Sequence, residues 1–333
     1  MRPFGHEGPS EGKRGPNLSE AETKLYQLLL PEYEARAINP ADFAELYGEE
    51  TISNDRAEVE RIEKRIQADD ALSYESRSWY ERGKLFEIIV ANGVDEADWL
   101  GPDATMIVPA RHDDLKNDID GIVEFEEDLG KHTHLALAVD ITKSTRHLTD
   151  KMDAIRSSIQ DENLSRVKYF MSGDFTGELR NVPRVVIGAD REAIEEVSEL
   201  MLTVKLRQQN PLHRQEGRLK QASIDSLRLK FMEARKALAS HRLQFQILWQ
   251  IETQLTTFQK YAERTGHPSV AAAYQRRLAI VQNVLHEKLD LKNLGLKSEA
   301  EKATWLREMR EKIDQDEVHR AVLAQTRSFE HNE

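Results

Sequence analysis

The sequence predicts an α/β fold: a small mixed sheet flanked by helices, preceded by an N-terminal helical segment and followed by a C-terminal all-helical arm. Three patterns carry that expectation. Between residues 119 and 142 hydrophobic side chains alternate with period two, the spacing of half-buried strands. Before and after that stretch, apolar residues recur every three to four positions. From residue 191 onward there is almost no strand signal. The order helix, hairpin, helix, strand, strand over roughly 79–190 reads as one α/β core.

Taken in order, residues 1–18 are rich in Gly, Pro and charge and read as a disordered tail. Residues 19–78 form the helical segment. Ser19 and Glu22 have capping-box spacing, and Leu25, Leu28, Leu29 and Tyr33 follow at helical intervals. Asn39-Pro40 opens a second short helix, and 54–68 continue as a charged helix, solvated on most sides. A stronger helix starts near Ser73, carries Trp79, Leu85, Phe86 and Ile89, and is expected to end at Asn92-Gly93. Strands follow at 119–125 and 134–142, then a helix at about 147–160 and strands at 167–171 and 184–188. Ala136 and Ala138 share one strand face, so something is expected to pack closely over it. In the arm, residues 191–333, Thr265-Gly266-His267-Pro268-Ser269 separates two helices of a hairpin, and Ser298 with Glu301 repeats the capping-box pattern.

Composition narrows the class of function. The 333 residues include 47 Lys+Arg, 59 Asp+Glu and no cysteine, for a formal charge of −12. Absent cysteine excludes disulfides, thiolate zinc sites and cysteine nucleophiles. No run approaches the ~20 apolar residues of a membrane helix. The opening residues lack the apolar core of a signal peptide, so a cytoplasmic protein without a membrane partner is expected. Net acidity argues against a general nucleic-acid coat. The charge is uneven, however: residues 1–190 carry −16, residues 191–333 carry +4, and 203–245 carry +7.

The chemistry concentrates between 83 and 143. Asp120 opens the first hairpin strand and Asp140 nears the end of the second, so paired strands would turn Asp120, Asp140 and Thr142 to one side. A preceding helix bearing Glu87 is expected against that side. Converging carboxylates repel one another, and a divalent cation relieves the cost. Hard oxygen ligands suit Mg²⁺ or Mn²⁺, with Asp120 and Asp140 as ligands and Glu87 as a third or water-mediated one. Aspartate is disfavoured inside strands, which marks Asp140 most strongly. Asp118 reads as turn chemistry, and Glu124, on the face of Asp120, reads as water-facing.

These residues resemble the PD-(D/E)XK, or restriction-endonuclease-like, nuclease superfamily. Gly83-Lys84-Leu85-Phe86-Glu87 stands where the family has its helix with a glutamate. Asn117-Asp118-Ile119-Asp120-Gly121 stands at its first acidic position, and Asp140-Ile141-Thr142-Lys143 at its second acid and lysine. The resemblance covers about 110 residues. It implies metal-dependent phosphodiester hydrolysis of nucleic acid, DNA favoured, with Glu87, Asp120, Asp140 and Lys143 as catalytic residues. The chain departs from the family at Thr142, which occupies the lysine's position. Lys143 would have to swing in at the strand end, or Lys151 or Lys84 would supply the charge from a helix.

Elsewhere, His132 and His134 share a strand face but lack a well-spaced third ligand and read as a solvated strand start. The basic stretch holds Arg214, Arg218, Lys220, Arg228 and Lys230 with Phe231 interleaved. It reads either as a nucleic-acid contact surface or as a solvated face paired with the acidic half. Tyr274, Leu278, Val281 and Leu285 step like a coiled-coil seam. They support an alternative: a catalytically inactive nuclease-like protein that binds a partner, or a second copy of itself, through its C-terminal helices.

Overall fold

The computed structural model describes residues 17–70, 74–126, 135–173, 175–209 and 221–331. Most of the expected tail, His132, His134, Arg214, Arg218 and Lys220 lie outside the described residues.

Helix α1 (Glu20–Ala35) starts with the predicted capping box, the Ser19 hydroxyl accepting from Glu22 N and the Glu22 carboxylate accepting from Ser19 N at 2.6 Å. Glu22 has a second task. It is fully buried and accepts from Arg82 Nε at 2.7 Å, which ties α1 to the next long helix. Leu25, Leu29 and Tyr33 form the buried stripe of α1. Asn39 caps a single 3-10 turn, Pro40–Phe43, which leads into α2 (Ala44–Tyr47) and α3 (Glu49–Asp70). The charged face of α3 is engaged rather than merely solvated: Glu63 accepts from Arg111, and Asp55 from Tyr169.

Helix α4 (Tyr74–Ala97) runs past the predicted stop. The Asn92 amide donates to Ile88 O at 2.9 Å, and Gly93 makes room for the buried Trp99 ring, since a Cβ there would lie 2.4 Å from the indole. That glycine serves packing and does not end the helix.

Eight short elements build the α/β part: β1 (Ala104–Ile107), α5 (Arg111–Asn117), β2 (Gly121–Phe125), β3 (Leu135–Thr142), α6 (Leu148–Gln160), β4 (Ser165–Ser172), β5 (Phe175–Val182) and β6 (Arg184–Gly188). Strands β1, β2, β3 and β6 form the main sheet in that order, antiparallel except for the parallel β3–β6 pair. Strands β4 and β5 make a separate antiparallel pair. The sequence reading lacked β1, α5 and β5.

The two faces of the sheet are covered differently. Leu137 and Val139 join Leu85, Phe86 and Ile89 of α4 in the main core. Ala136, Ala138 and Ile122 pack under Val167, Phe170 and Val182 of the β4–β5 pair, which is the close cover that the alanines predict. Helix α4 therefore packs on the face opposite the one expected. Glu124 is corrected as well: it is 6% exposed and accepts from the Ser172 hydroxyl beneath that cover.

The 191–333 segment contains α7 (Arg191–Gln209), α8 (Gln221–Ala239), α9 (Arg242–Arg264), α10 (Pro268–Lys288), α11 (Leu291–Leu294), α12 (Glu299–Ile313) and α13 (Glu317–His331). Its apolar residues share one core with the sheet. The free edge of β6 is closed by glutamines one helical turn apart on α9. Gln254 accepts from Val186 N at 2.8 Å and donates to Val186 O; Gln250 does the same for Gly188 at 2.9 Å, and Gln246 adds a bond to Gly188 O. The side-chain amides take the place of a fifth strand.

The seam residues Tyr274, Leu278, Val281 and Leu285 are all buried, in the same core as α9 residues Leu255 and Phe258. They therefore serve the α9–α10 hairpin, which corrects their reading as a surface for association. Among the described residues, no helix is long and apolar enough to cross a membrane.

Candidate active site

Register brings the two central carboxylates to one end of the β2–β3 ladder. The β2–β3 ladder ends where Gly121 pairs with Val139, and Asp120, one residue before β2, donates from its N to Val139 O at 3.0 Å. The charge of Asp140 reaches Asp120, but Asp120 stands just outside β2, so strand alternation does not set its face. Asp120 Oδ2 also accepts from Ile141 N at 2.6 Å, so its carboxylate caps the strand end.

Asp140 is 1% exposed and contacts Lys151 of α6. Its Oδ2 is buried and has no hydrogen-bond partner. Burial pushes the Asp140 carboxyl up, and Lys151 partly restrains it. Burial and the charges of Glu87 and Asp140 push Asp120 well above the usual carboxylate range.

Glu87 projects from α4 toward the same strand end. It contacts Lys84, and the Tyr33 hydroxyl lies 3.4 Å from its Oε2 and 3.5 Å from Asp120 O. Burial raises Glu87 to about 7, against the pull of Lys84. Lys84 also lies 3.7 Å from Asp114, which Arg111 holds at 2.5 Å. Burial alone would weaken the proton affinity of Lys84, but Glu87 and Asp114 outweigh it.

The lysine question resolves by helix geometry. Thr142 is buried and donates to Ser144 O at 2.8 Å. Lys143 shares the face of Ile141 and lies toward α4, its ammonium against Gly83 and 5.9 Å from the Trp79 ring centroid. The cation on Asp140 is thus Lys151, three residues into α6, one of the two helical alternatives the sequence offered. Asp118 takes the left-handed conformation at the C-terminus of α5 with its side chain mostly exposed, as turn chemistry predicts.

A cleft of about 280 Å³ opens beside this group. Tyr33, Tyr80, Lys84, Arg111, Asp114 and Asp120 are among its lining residues. Tyr33 is the contributor that sequence reasoning missed, because its helical spacing fits a core residue and its partner lies 54 positions away. Arg228 and Lys230 are exposed on α8, and neither lines this cleft.

The chain matches no family model, no curated protein and no solved structure.

Among the described residues, no three His, Cys, Asp or Glu side chains are gathered as a ready metal cluster. What the group does offer is oxygen-only donors, mutual repulsion and the orphan Asp140 Oδ2. That chemistry suits a hard divalent cation held by one or two carboxylates and completed by water and substrate phosphate.

Proposed function

We propose that the chain is a metal-dependent phosphodiesterase acting on nucleic acid, DNA favoured, built on a divergent restriction-endonuclease-like core. The observation that carries the reading is the electrostatic proximity of Asp120 to Asp140 and Glu87, with the Lys151 ammonium on Asp140. Supporting it is the order α4, β1, α5, β2, β3, α6, β4, β5, β6, in which β1, β2, β3 and β6 make a four-stranded mixed sheet and the β4–β5 pair is inserted before the last strand.

In this reading Asp120 and Asp140 would hold Mg²⁺ or Mn²⁺, with Glu87 as a third or water-mediated ligand. Bound there, the cation would make a water molecule more acidic and neutralise developing phosphate charge. Lys151 replaces Lys143 as the lysine of the site: it opposes the effect of burial on Asp140 and would orient the attacking water. Tyr33 positions Glu87 through its hydroxyl. Arg111 and Lys84, at the cleft wall, hold Asp114, Glu63 and Glu87 in place beside the carboxylate group.

The test is cleavage of single- and double-stranded DNA and RNA with Mn²⁺, comparing wild type with Lys151→Met and the double variant Asp120→Ala/Asp140→Ala. Cleavage by wild type that is lost in both variants supports the proposal. Full cleavage by the double variant, or none by wild type on any substrate, contradicts it.

A further inference from the structure

A second cleft, of about 570 Å³, lies on different elements from the carboxylate group. Its walls come from α8, α9, α10, the α11–α12 corner and the turn after α4. That volume falls within the ~300–1,000 Å³ of small-molecule sites.

Three lysines from three helices line it: Lys236 of α8, Lys288 of α10 and Lys292 of α11. Lys84, Lys116, Lys151, Lys168 and Lys205 each meet a carboxylate. Among the described residues, none of the three cleft lysines has one within 4.0 Å. Lys288 is half-buried, and its ammonium donates only to the neutral amide oxygen of Gln244, at 3.2 Å. Asp98 and Glu287 stand exposed at the cleft and do not close on it. Burial lowers the proton affinity of Lys288 against the opposing charges of Asp98 and Glu287, so an anion arriving at its ammonium would supply a closer counter-charge than these two carboxylates do.

The cleft also has an aromatic side. Trp305 of α12 lines it and meets Phe245 of α9 edge-on, with ring centroids 5.1 Å apart. An aromatic ring on the cleft wall offers a surface against which a flat ring can pack. Clustered cations beside a supported aromatic ring fit a ligand that is an anion at one end and a flat ring at the other.

We propose that this cleft binds a nucleoside phosphate, its phosphates on Lys236, Lys288 and Lys292 and its base against Trp305. The proposal is independent of the phosphodiesterase reading.

The experiment is calorimetric titration of ADP, adenosine and pyrophosphate into the full chain in EDTA, which keeps divalent cations out of the carboxylate site. One-site ADP binding is expected, at least about tenfold tighter than adenosine or pyrophosphate, since each half supplies part of the contact energy. Lys288→Gln/Lys292→Gln should weaken ADP at least about tenfold, and Asp140→Asn should leave it unchanged. The exposed Lys292→Gln change alone should weaken ADP measurably if the double variant fails to fold. Absent ADP binding at millimolar concentration, or binding unaffected by the lysine changes, overturns the proposal. Loss of ADP binding in Asp140→Asn would also overturn it by locating the ligand at the carboxylates.

Discussion

Replacing Lys151 with methionine should destabilise the protein in a way that depends on pH. Asp140 is 1% exposed, whereas the Lys151 side chain is 27% exposed. Removing one partner from a fully buried ion pair costs about 3–5 kcal/mol; the partial exposure of Lys151 brings the expectation to about 2–3 kcal/mol. For a chain of this size that is a fall of roughly 3–6 °C in melting temperature. The cost is limited by protonation. Burial already raises Asp140, and without Lys151 it rises further. A carboxyl raised in the folded state contributes stability at low pH that is lost as pH climbs through its folded value. The variant should therefore melt near wild type at pH 5 and well below it at pH 8 in EDTA. Adding Mn²⁺ at pH 8 should recover more stability in the variant than in wild type, because a bound cation takes over the neutralising role. Circular dichroism melts at the two pH values read all of this. A variant that melts at or above wild type at pH 8, or with the same loss at both pH values, would refute the reasoning.

Three further outcomes follow from particular contacts. Gln254→Leu leaves both the N–H and C=O of Val186 without partners at the edge of β6, which should cost roughly 2–6 kcal/mol at about 1–3 per group, seen as a lower urea midpoint. Gly93→Ala drives a methyl into the Trp99 ring and should cost about 1–3 kcal/mol by the same assay. Because Glu87 is raised to about 7, its proton must leave before it can support a cation. Mn²⁺ affinity should therefore climb by up to about tenfold per pH unit below 7, and Glu87→Gln should flatten that slope.

The sequence carried the parts of the site that local periodicity governs. Alternation along 119–125 and 134–142 is enough to find β2 and β3 and the buried Asp140, and the cap at Ser19 follows from two residues three positions apart. What escaped it is set by distance along the chain. Strand β1 is four residues, ATMI, too short for a period to show. Tyr33 repeats like any core position, and only the folded chain brings it to Glu87. The direction of Lys143 was set by the parity of β3, which turns it with Ile141 toward α4, so that a helix had to deliver the lysine. The glutamines at 246, 250 and 254 sit beside an apolar stripe and look solvated until β6 is laid against them. Gly93 resembles a helix stop because the bulk of Trp99, six residues later, is invisible to local rules.

The most direct measurement is titration of Mn²⁺ into the purified protein, wild type beside Asp140→Asn, at pH 8. The account predicts saturable binding in wild type that the asparagine abolishes, because the buried orphan oxygen and the charge of Asp140 are what the cation needs. Equal binding by the two proteins, or none by wild type even with a nucleic-acid substrate present, would contradict it.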